Sequence, residues 1–176
     1  NFVQPIRNLI RSIILTNILE SEQKELAVFV AGINLGLRIS DLLKLRVKNV
    51  ENSSYPLEKE GKEKRIKINK TLRKAIDQYI KDKNDQEYLF KSREGLNKPI
   101  SRSSAYIILR EAAEYVGLDS IGTHTLRKTF GYWHYKKFKD VALLQEIFNH
   151  SSPDITLRYS GIKQDTMDKA MDNFGL

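Results

Sequence analysis

The chain has 176 residues, 40% of them apolar, which is the size of one ordinary domain with enough apolar surface to bury a core. Thirty lysines and arginines against twenty-two acids give a formal charge of +8, which points to a polyanionic partner without distinguishing DNA, RNA or a membrane surface. The lack of cysteine excludes disulfides, thiolate metal sites and a cysteine nucleophile, and no apolar stretch approaches the roughly 18 residues of a membrane span. Ile13-Ile14-Leu15 is too short, and too polar in its flanks, to be a span or a signal core, so a cytosolic setting is expected.

Lys24 to Leu37 is almost continuously apolar and reads as a buried helix ending near Gly36. Ser40 can cap a second short helix carrying Leu42, Leu43 and Leu45, and Val47 to Val50 begins an extended stretch. Between Tyr55 and Asn69 the charged run LEKEGKEKRIKIN has a Glu60-Gly61 centre suited to a hairpin turn. Its Arg65-Ile66-Lys67-Ile68 alternates as a half-buried strand does. Leu72, Ala75, Ile76, Tyr79 and Ile80 fall on one helix face, a polar turn follows at Lys83-Asn84-Asp85, and Tyr88-Leu89-Phe90 is a short strand candidate.

Ser101 to Val116 is the clearest amphipathic helix, with Ala105, Ile108, Leu109, Ala112, Ala113 and Val116 on one face and Gly117 placed to terminate it. Thr123 can cap a helix from His124 to about Phe138, Val141 to Phe148 forms another, and Ser152-Pro153 is an N-cap followed by proline at the first helical position. Near the end, Met167, Ala170, Met171 and Phe174 share a helix face that packs on its own domain or on a neighbour. The expected class is α+β, mostly helical with a small antiparallel sheet, and no repeat or linker divides the chain.

Three separated segments carry candidate chemistry: Gly36-Leu37-Arg38 running on to Leu43, His124-Thr125-Leu126-Arg127, and Asn149-His150-Ser151 with Tyr159 nine positions after the histidine. Taken singly each has a structural reading. Arg38 suits a helix terminus, Tyr159 is one of eight tyrosines, and a lysine-rich hairpin is usually a solvated face. In this order and spacing they resemble the G-L-R, H-x-L-R and H…Tyr boxes of the tyrosine recombinase, or phage integrase, family, over about Leu26 to Gly161.

Such residue types suit attack on a phosphodiester. In-line attack builds charge on the non-bridging oxygens, and fixed donors aimed there supply much of the catalysis. Arginine, always charged and able to bind two phosphate oxygens at once, fits better than lysine. His124 and Arg127 lie three apart on a helix, so both face one way. His134, between Trp133 and Tyr135, reads as structural, and a three-histidine metal site lacks the supporting acid pattern.

The resemblance implies a site-specific recombinase or integrase catalytic domain acting in DNA integration or excision, without cofactor or metal. In it Tyr159 is the nucleophile, forming a 3′-phosphotyrosyl bond. Arg38, Arg127 and His150 grip the phosphate, and His124 aids deprotonation of the nucleophile. A hairpin lysine protonates the leaving 5′-oxygen. Lys59 is favoured because Lys59-Glu60-Gly61-Lys62 resembles the family's K-T-G-K pattern, with Lys62 and Lys64 as alternatives. Asp41 stands where many relatives carry Glu.

The resemblance further implies a double-stranded DNA recombination site as partner, a homotetramer on DNA, and a prokaryotic cytoplasmic or nucleoid-associated setting. Lys98, Arg102, Ser103, Tyr106 and Lys128 are the candidate DNA contacts. Relatives place a helical core-binding domain before the catalytic one. Nothing of that size precedes Leu26, so the expectation is one catalytic domain over 1–176 with the other absent or removed. A type IB topoisomerase-like enzyme and a non-catalytic DNA-binding protein are the competing classes.

Overall fold

A computed structural model describes residues 23–51, 54–59, 62–115 and 121–174, and the architecture is mostly helical. Helix α1 (Gln23–Leu35) buries Ala27, Val28, Phe29, Val30, Ala31, Gly32 and Leu35. A helix apolar on so many sides must be surrounded. Around it pack α4 (Lys70–Ile80), α5 (Arg102–Tyr115) and α6 (Thr123–Phe138). The core continues through Leu72, Ile76, Leu89, Phe90, Leu109 and Leu126.

Two short helices link α1 to a hairpin: α2 (Ile39–Leu42) and α3 (Val47–Glu51). Both differ from the sequence expectation. Ser40 lies inside α2 and does not cap it. Arg38 occupies the N-cap position, its carbonyl accepting the Asp41 and Leu42 amides at 2.9 Å, so the helix starts earlier. Val47 to Val50 is helical, not extended. The orphan amides of its first turn find acceptors far along the chain, Val47 donating to Glu87 O and Lys48 to Asp85 O, both at 3.0 Å.

Strands β1 (Ser54–Lys59) and β2 (Lys62–Lys67) pair antiparallel, with Tyr55 opposite Ile66 and Lys59 opposite Lys62. The expected turn at Glu60-Gly61 lies outside the described residues, as do Gly117, Val116 and Ile13-Ile14-Leu15. Asn69 caps α4, its Oδ1 accepting the Leu72 amide at 2.8 Å. Tyr88-Leu89-Phe90 does not form a strand. Its pairing is limited to an isolated bridge, Arg46 with Tyr88, and a second follows it at Lys91 with Pro99, while the Tyr88 amide is taken by the Asn97 side chain, so no ladder propagates.

Ser101 caps α5 through an Oγ that accepts the Ser104 amide at 2.9 Å. At α6 the cap shifts by one residue from the expectation. Gly122 is the N-cap, Thr123 is already helical, and Thr125 Oγ1 accepts the Gly122 amide at 3.0 Å. Helix α7 (Val141–Phe148) is capped by Asp140, and α8 (Pro153–Tyr159) by Ser152 with Pro153 in its first turn. The last helix, α9 (Ile162–Asp172), buries Ile162 but leaves Met167 and Met171, with Phe174 just beyond its end, largely exposed, so the face these three share is not self-packed. Asp165 is the other buried residue of this helix. It is buried and paired with Lys136 of α6 at 2.7 Å and with Lys169 at 3.1 Å, which fastens α9 to α6. Among the described residues no helix is long and apolar enough to cross a membrane.

Candidate active site

Arg127 is the residue around which the candidate site is assembled. It sits on the inner face of α6, only 5% exposed, and its two terminal nitrogens donate to backbone carbonyls from different parts of the chain. Nη1 reaches Gly36 O, just past the end of α1, and Nη2 reaches Phe148 O, at the end of α7, at 2.8 Å. Terminal helix carbonyls lack intrahelical partners and carry the negative end of the dipole, so a guanidinium serves both needs. Of its five N–H donors these bonds use two, leaving others for the Tyr159 phenol and for an incoming anion.

Gly36 makes the first of these contacts possible. Its φ of +62° is a left-handed conformation that glycine tolerates best, and it turns the chain so that Leu37 buries while Arg38 emerges exposed at the start of α2. A Cβ at this position would also collide with the Phe130 ring, 2.5 Å away. Among the described residues the Arg38 side chain makes no hydrogen bond or ion pair, and its charge reaches Arg127, His150 and Tyr159.

The end of α7 places His150. Asn149 adopts a left-handed φ of 51°, and the chain then folds back so that His150 N donates to Gln145 O and Gln145 Nε2 donates to His150 O, both at 3.1 Å. His150 Nδ1 lies 3.1 Å from Thr156 Oγ1. Its ring meets the Tyr159 ring edge-on, with centroids 5.2 Å apart. Burial lowers the imidazole pKa, and the Arg127 and Arg38 charges lower it further, so the ring is neutral at neutral pH.

Phe148 collects the three. Fully buried, it stacks under the Arg127 guanidinium at 4.2 Å, and its centroid lies 5.2 Å from that of His150 and 5.6 Å from that of Tyr159. Gly131 on α6 gives it room. A Cβ there would stand 2.8 Å from the Phe148 ring and 2.5 Å from Ser160 Oγ, so the residue that follows Tyr159 also depends on this glycine. Sequence reasoning passed over Phe148 and Thr156. The only sequence signal for Phe148 was its place as the last apolar residue of α7, and for Thr156 its spacing one turn before Tyr159.

Tyr159 ends α8 and is partly buried. Burial raises its phenol pKa above the ordinary value, and this outweighs the lowering by the Arg127 and Arg38 charges and by the Arg127 hydrogen bond. Without DNA, therefore, the phenol rests protonated.

His124 is exposed at the second position of α6, one turn before Arg127 and on the same side. Lys128 is exposed, its Nζ 5.8 Å from the Tyr159 ring centroid. Lys98, Arg102, Ser103 and Tyr106 are exposed in the loop before α5 and on its first turns. Lys59 closes β1 opposite Lys62, but the side chains of Lys59, Lys62 and Lys64 lie outside the described ones. Asp41, in the first turn of α2, raises the Arg127 pKa through its charge, while burial lowers it more. His134 is not part of the site. It lies between Phe130 and Phe138, with centroids at 5.4 and 4.8 Å, and burial depresses its pKa.

A family model described as phage integrase family matches residues 13–165. The chain belongs to this family. It is 49% identical over 179 residues to the probable integrase/recombinase YoeC of Bacillus subtilis (strain 168), covering 99% of this chain and 98% of that one. Tyrosine recombinase XerA of Pyrococcus horikoshii is 29% identical over 133 residues, covering 72% of this integrase-family chain and 46% of the relative. Among solved structures, XerA recombinase superposes with a TM-score of 0.75 at 19% identity, over 98% of this chain and 62% of that one. XerH site-specific recombinase, in a post-cleavage complex with a palindromic difH substrate, gives 0.74 at 19% identity, over 97% and 51%. The chain thus spans nearly the whole of the Bacillus relative and about half of the Xer relatives. It is a tyrosine-type site-specific recombinase by family, and it shares their catalytic-domain fold.

Proposed function

We propose that this chain cuts and rejoins DNA strands at a specific site, in the integration or excision of a DNA element, through a covalent link to Tyr159. The observation that carries the assignment is the convergence of Arg127, His150 and Tyr159 on Phe148, with the Arg38 charge directed at the same place.

Arg38 and Arg127 bind the non-bridging oxygens of the scissile phosphate, and His150 donates to one of them from Nε2. The Tyr159 oxygen attacks phosphorus in line as its proton passes to His124, directly or through water. The bond from phosphorus to the 5′-oxygen breaks, and Lys59 on the hairpin gives that oxygen a proton. The products are a 3′-phosphotyrosyl ester and a free 5′-hydroxyl. One phosphodiester has replaced another, so a second 5′-hydroxyl can reverse the step with a new strand and without ATP. Neither a metal nor a cofactor is needed by this route.

The duplex is held by Lys98, Arg102, Ser103 and Tyr106 ahead of and along α5, and by Lys128 beside the nucleophile. Backbone phosphates are their expected targets, with strong salt dependence. The exposed apolar residues Met167 and Met171 of α9 and Phe174 just after it support assembly with other copies, which we take to be a homotetramer on DNA. The test is a nicked duplex bearing a site that the protein selects from a random-sequence pool. The chain forms a denaturation-resistant adduct with it, and Tyr159→Phe binds the duplex without forming the adduct. An adduct with the phenylalanine variant refutes the assignment. Lys59→Ala slows cleavage of an ordinary strand and is rescued by a bridging 5′-sulfur. Rescue of Lys62→Ala or Lys64→Ala instead moves the general acid along the hairpin.

A further inference from the structure

On the reading above, His150 serves the phosphate through Nε2, and its other ring nitrogen faces the protein. Nδ1 lies 3.1 Å from Oγ1 of Thr156, a residue with 0% exposure one turn before Tyr159 on the same helix. Thr156 Oγ1 donates to Ser152 O at 3.2 Å, and Ser152 O also accepts the Thr156 amide at 3.3 Å. A hydroxyl has one hydrogen and two lone pairs. While that hydrogen is on Ser152 O, the hydroxyl can only accept from His150, which places the imidazole hydrogen on Nδ1. Turned to Nδ1, the hydroxyl donates, and Ser152 O keeps the amide, so no buried carbonyl is orphaned.

The two settings have opposite chemical consequences. A neutral imidazole has one N–H, so the first setting leaves Nε2 a bare acceptor that cannot donate to a phosphate oxygen, and the second puts the hydrogen on Nε2. The groups facing the ring from the packed elements are the Arg127 and Arg38 guanidiniums, the Tyr159 phenol and the Phe148 ring. The two positive charges disfavour the imidazolium, and neither aromatic ring bonds Nδ1.

We propose that Thr156 is a positioning residue for strand transfer: its hydroxyl turns from the Ser152 carbonyl to His150 Nδ1 when a phosphate binds, and so presents Nε2–H to that phosphate. The inference rests on the reading of His150 as a phosphate donor. Its structural half is testable without DNA. With histidine labelled at both ring nitrogens and only three histidines in the chain, nitrogen–proton correlation spectra at pH 8 give the tautomer of each. In the free protein His150 is in the Nδ1–H form. In Thr156→Val, which keeps the shape and removes the hydroxyl, it reverts to the Nε2–H form that a neutral imidazole intrinsically prefers. Thr156→Ser behaves as wild type. The same tautomer in wild type and Thr156→Val overturns the proposal, whatever the chain does to DNA.

On the nicked duplex, Thr156→Val keeps the donating Nε2–H but loses the hydrogen bond to Nδ1 that holds the ring towards the phosphate, so adduct formation slows about tenfold, the weight of one buried hydrogen bond to an ionisable group, and Thr156→Ser restores the rate to within about twofold. In a His150→Ala background Thr156→Val adds nothing. A further loss in that background shows that Thr156 acts through the fold alone and also overturns the proposal.

Discussion

Replacing Arg127 and Arg38 by lysine in turn separates two demands that the site makes of its arginines. In Arg127→Lys the charge survives but the fork does not. The guanidinium spans the Gly36 and Phe148 carbonyls, and a single ammonium reaches one of them at most. One terminal helix carbonyl is then left buried without a donor, at a cost of about 1–3 kcal/mol. Stacking on Phe148, at 4.2 Å, is lost as well. For a domain of this size each kcal/mol lowers Tm by roughly 2–4 °C, so a fall of about 2–12 °C follows. Arg38 is exposed and makes no such bonds among the described residues, so Arg38→Lys leaves Tm unchanged. Both variants lose the bidentate grip on the phosphate, and single-turnover adduct formation on the nicked duplex falls by about two to three orders of magnitude in each. The assays are thermal denaturation and denaturing electrophoresis of the adduct. Wild-type stability in Arg127→Lys, or an equal loss of stability in both variants, would refute the division between a structural and an exposed arginine.

Gly131→Ala places a methyl group against the Phe148 ring and Ser160 Oγ, costing about 1–3 kcal/mol and slowing cleavage because the neighbour of Tyr159 must move. An unchanged melt and rate contradict the close packing. Asp165 has its carboxyl pKa lowered to about 2, chiefly by the Lys136 hydrogen bond, against burial and with help from Lys169. A depressed folded-state pKa means stability that is present above the unfolded value, about 3.9, and lost as pH falls towards 2. Asp165→Asn is therefore less stable than wild type at pH 7, and the two melts converge by about pH 2. A constant gap across that range contradicts the ion pair. Met171→Glu, at a site 70% exposed, shifts stability by no more than about 0.5 kcal/mol but reduces assembly on DNA, measured by light scattering of the complex. Undiminished assembly removes α9 from the interface.

The ordered boxes made the candidate chemistry legible because each pairs a reactive residue with the local device that places it. Gly36 supplies the left-handed turn that releases Arg38, and α6 carries His124 and Arg127 one turn apart. What escaped the sequence depends on partners far along the chain. Val47 and Val50 are both buried, three apart as on one helix face, and the amides of that helix's first turn find their acceptors in the distant carbonyls of Glu87 and Asp85. Tyr88-Leu89-Phe90 has strand-forming side chains, but Asn97 takes the Tyr88 amide that a ladder needs. Phe148 reads as one more core aromatic until Arg127, His150 and Tyr159 are seen around it. Equally hidden was the resting state of Tyr159, the proposed nucleophile. The arginines do pull the Tyr159 phenol down, yet burial pushes it up by more.

The central claim is that Tyr159 becomes esterified to a DNA 3′-phosphate. Protease digestion of the trapped adduct, followed by mass spectrometry of the nucleotide-bearing peptide, tests it directly. The account predicts a modified peptide containing Tyr159, with the released strand carrying a 5′-hydroxyl. Modification of any other tyrosine, or a 5′-phosphate on the released strand, contradicts it.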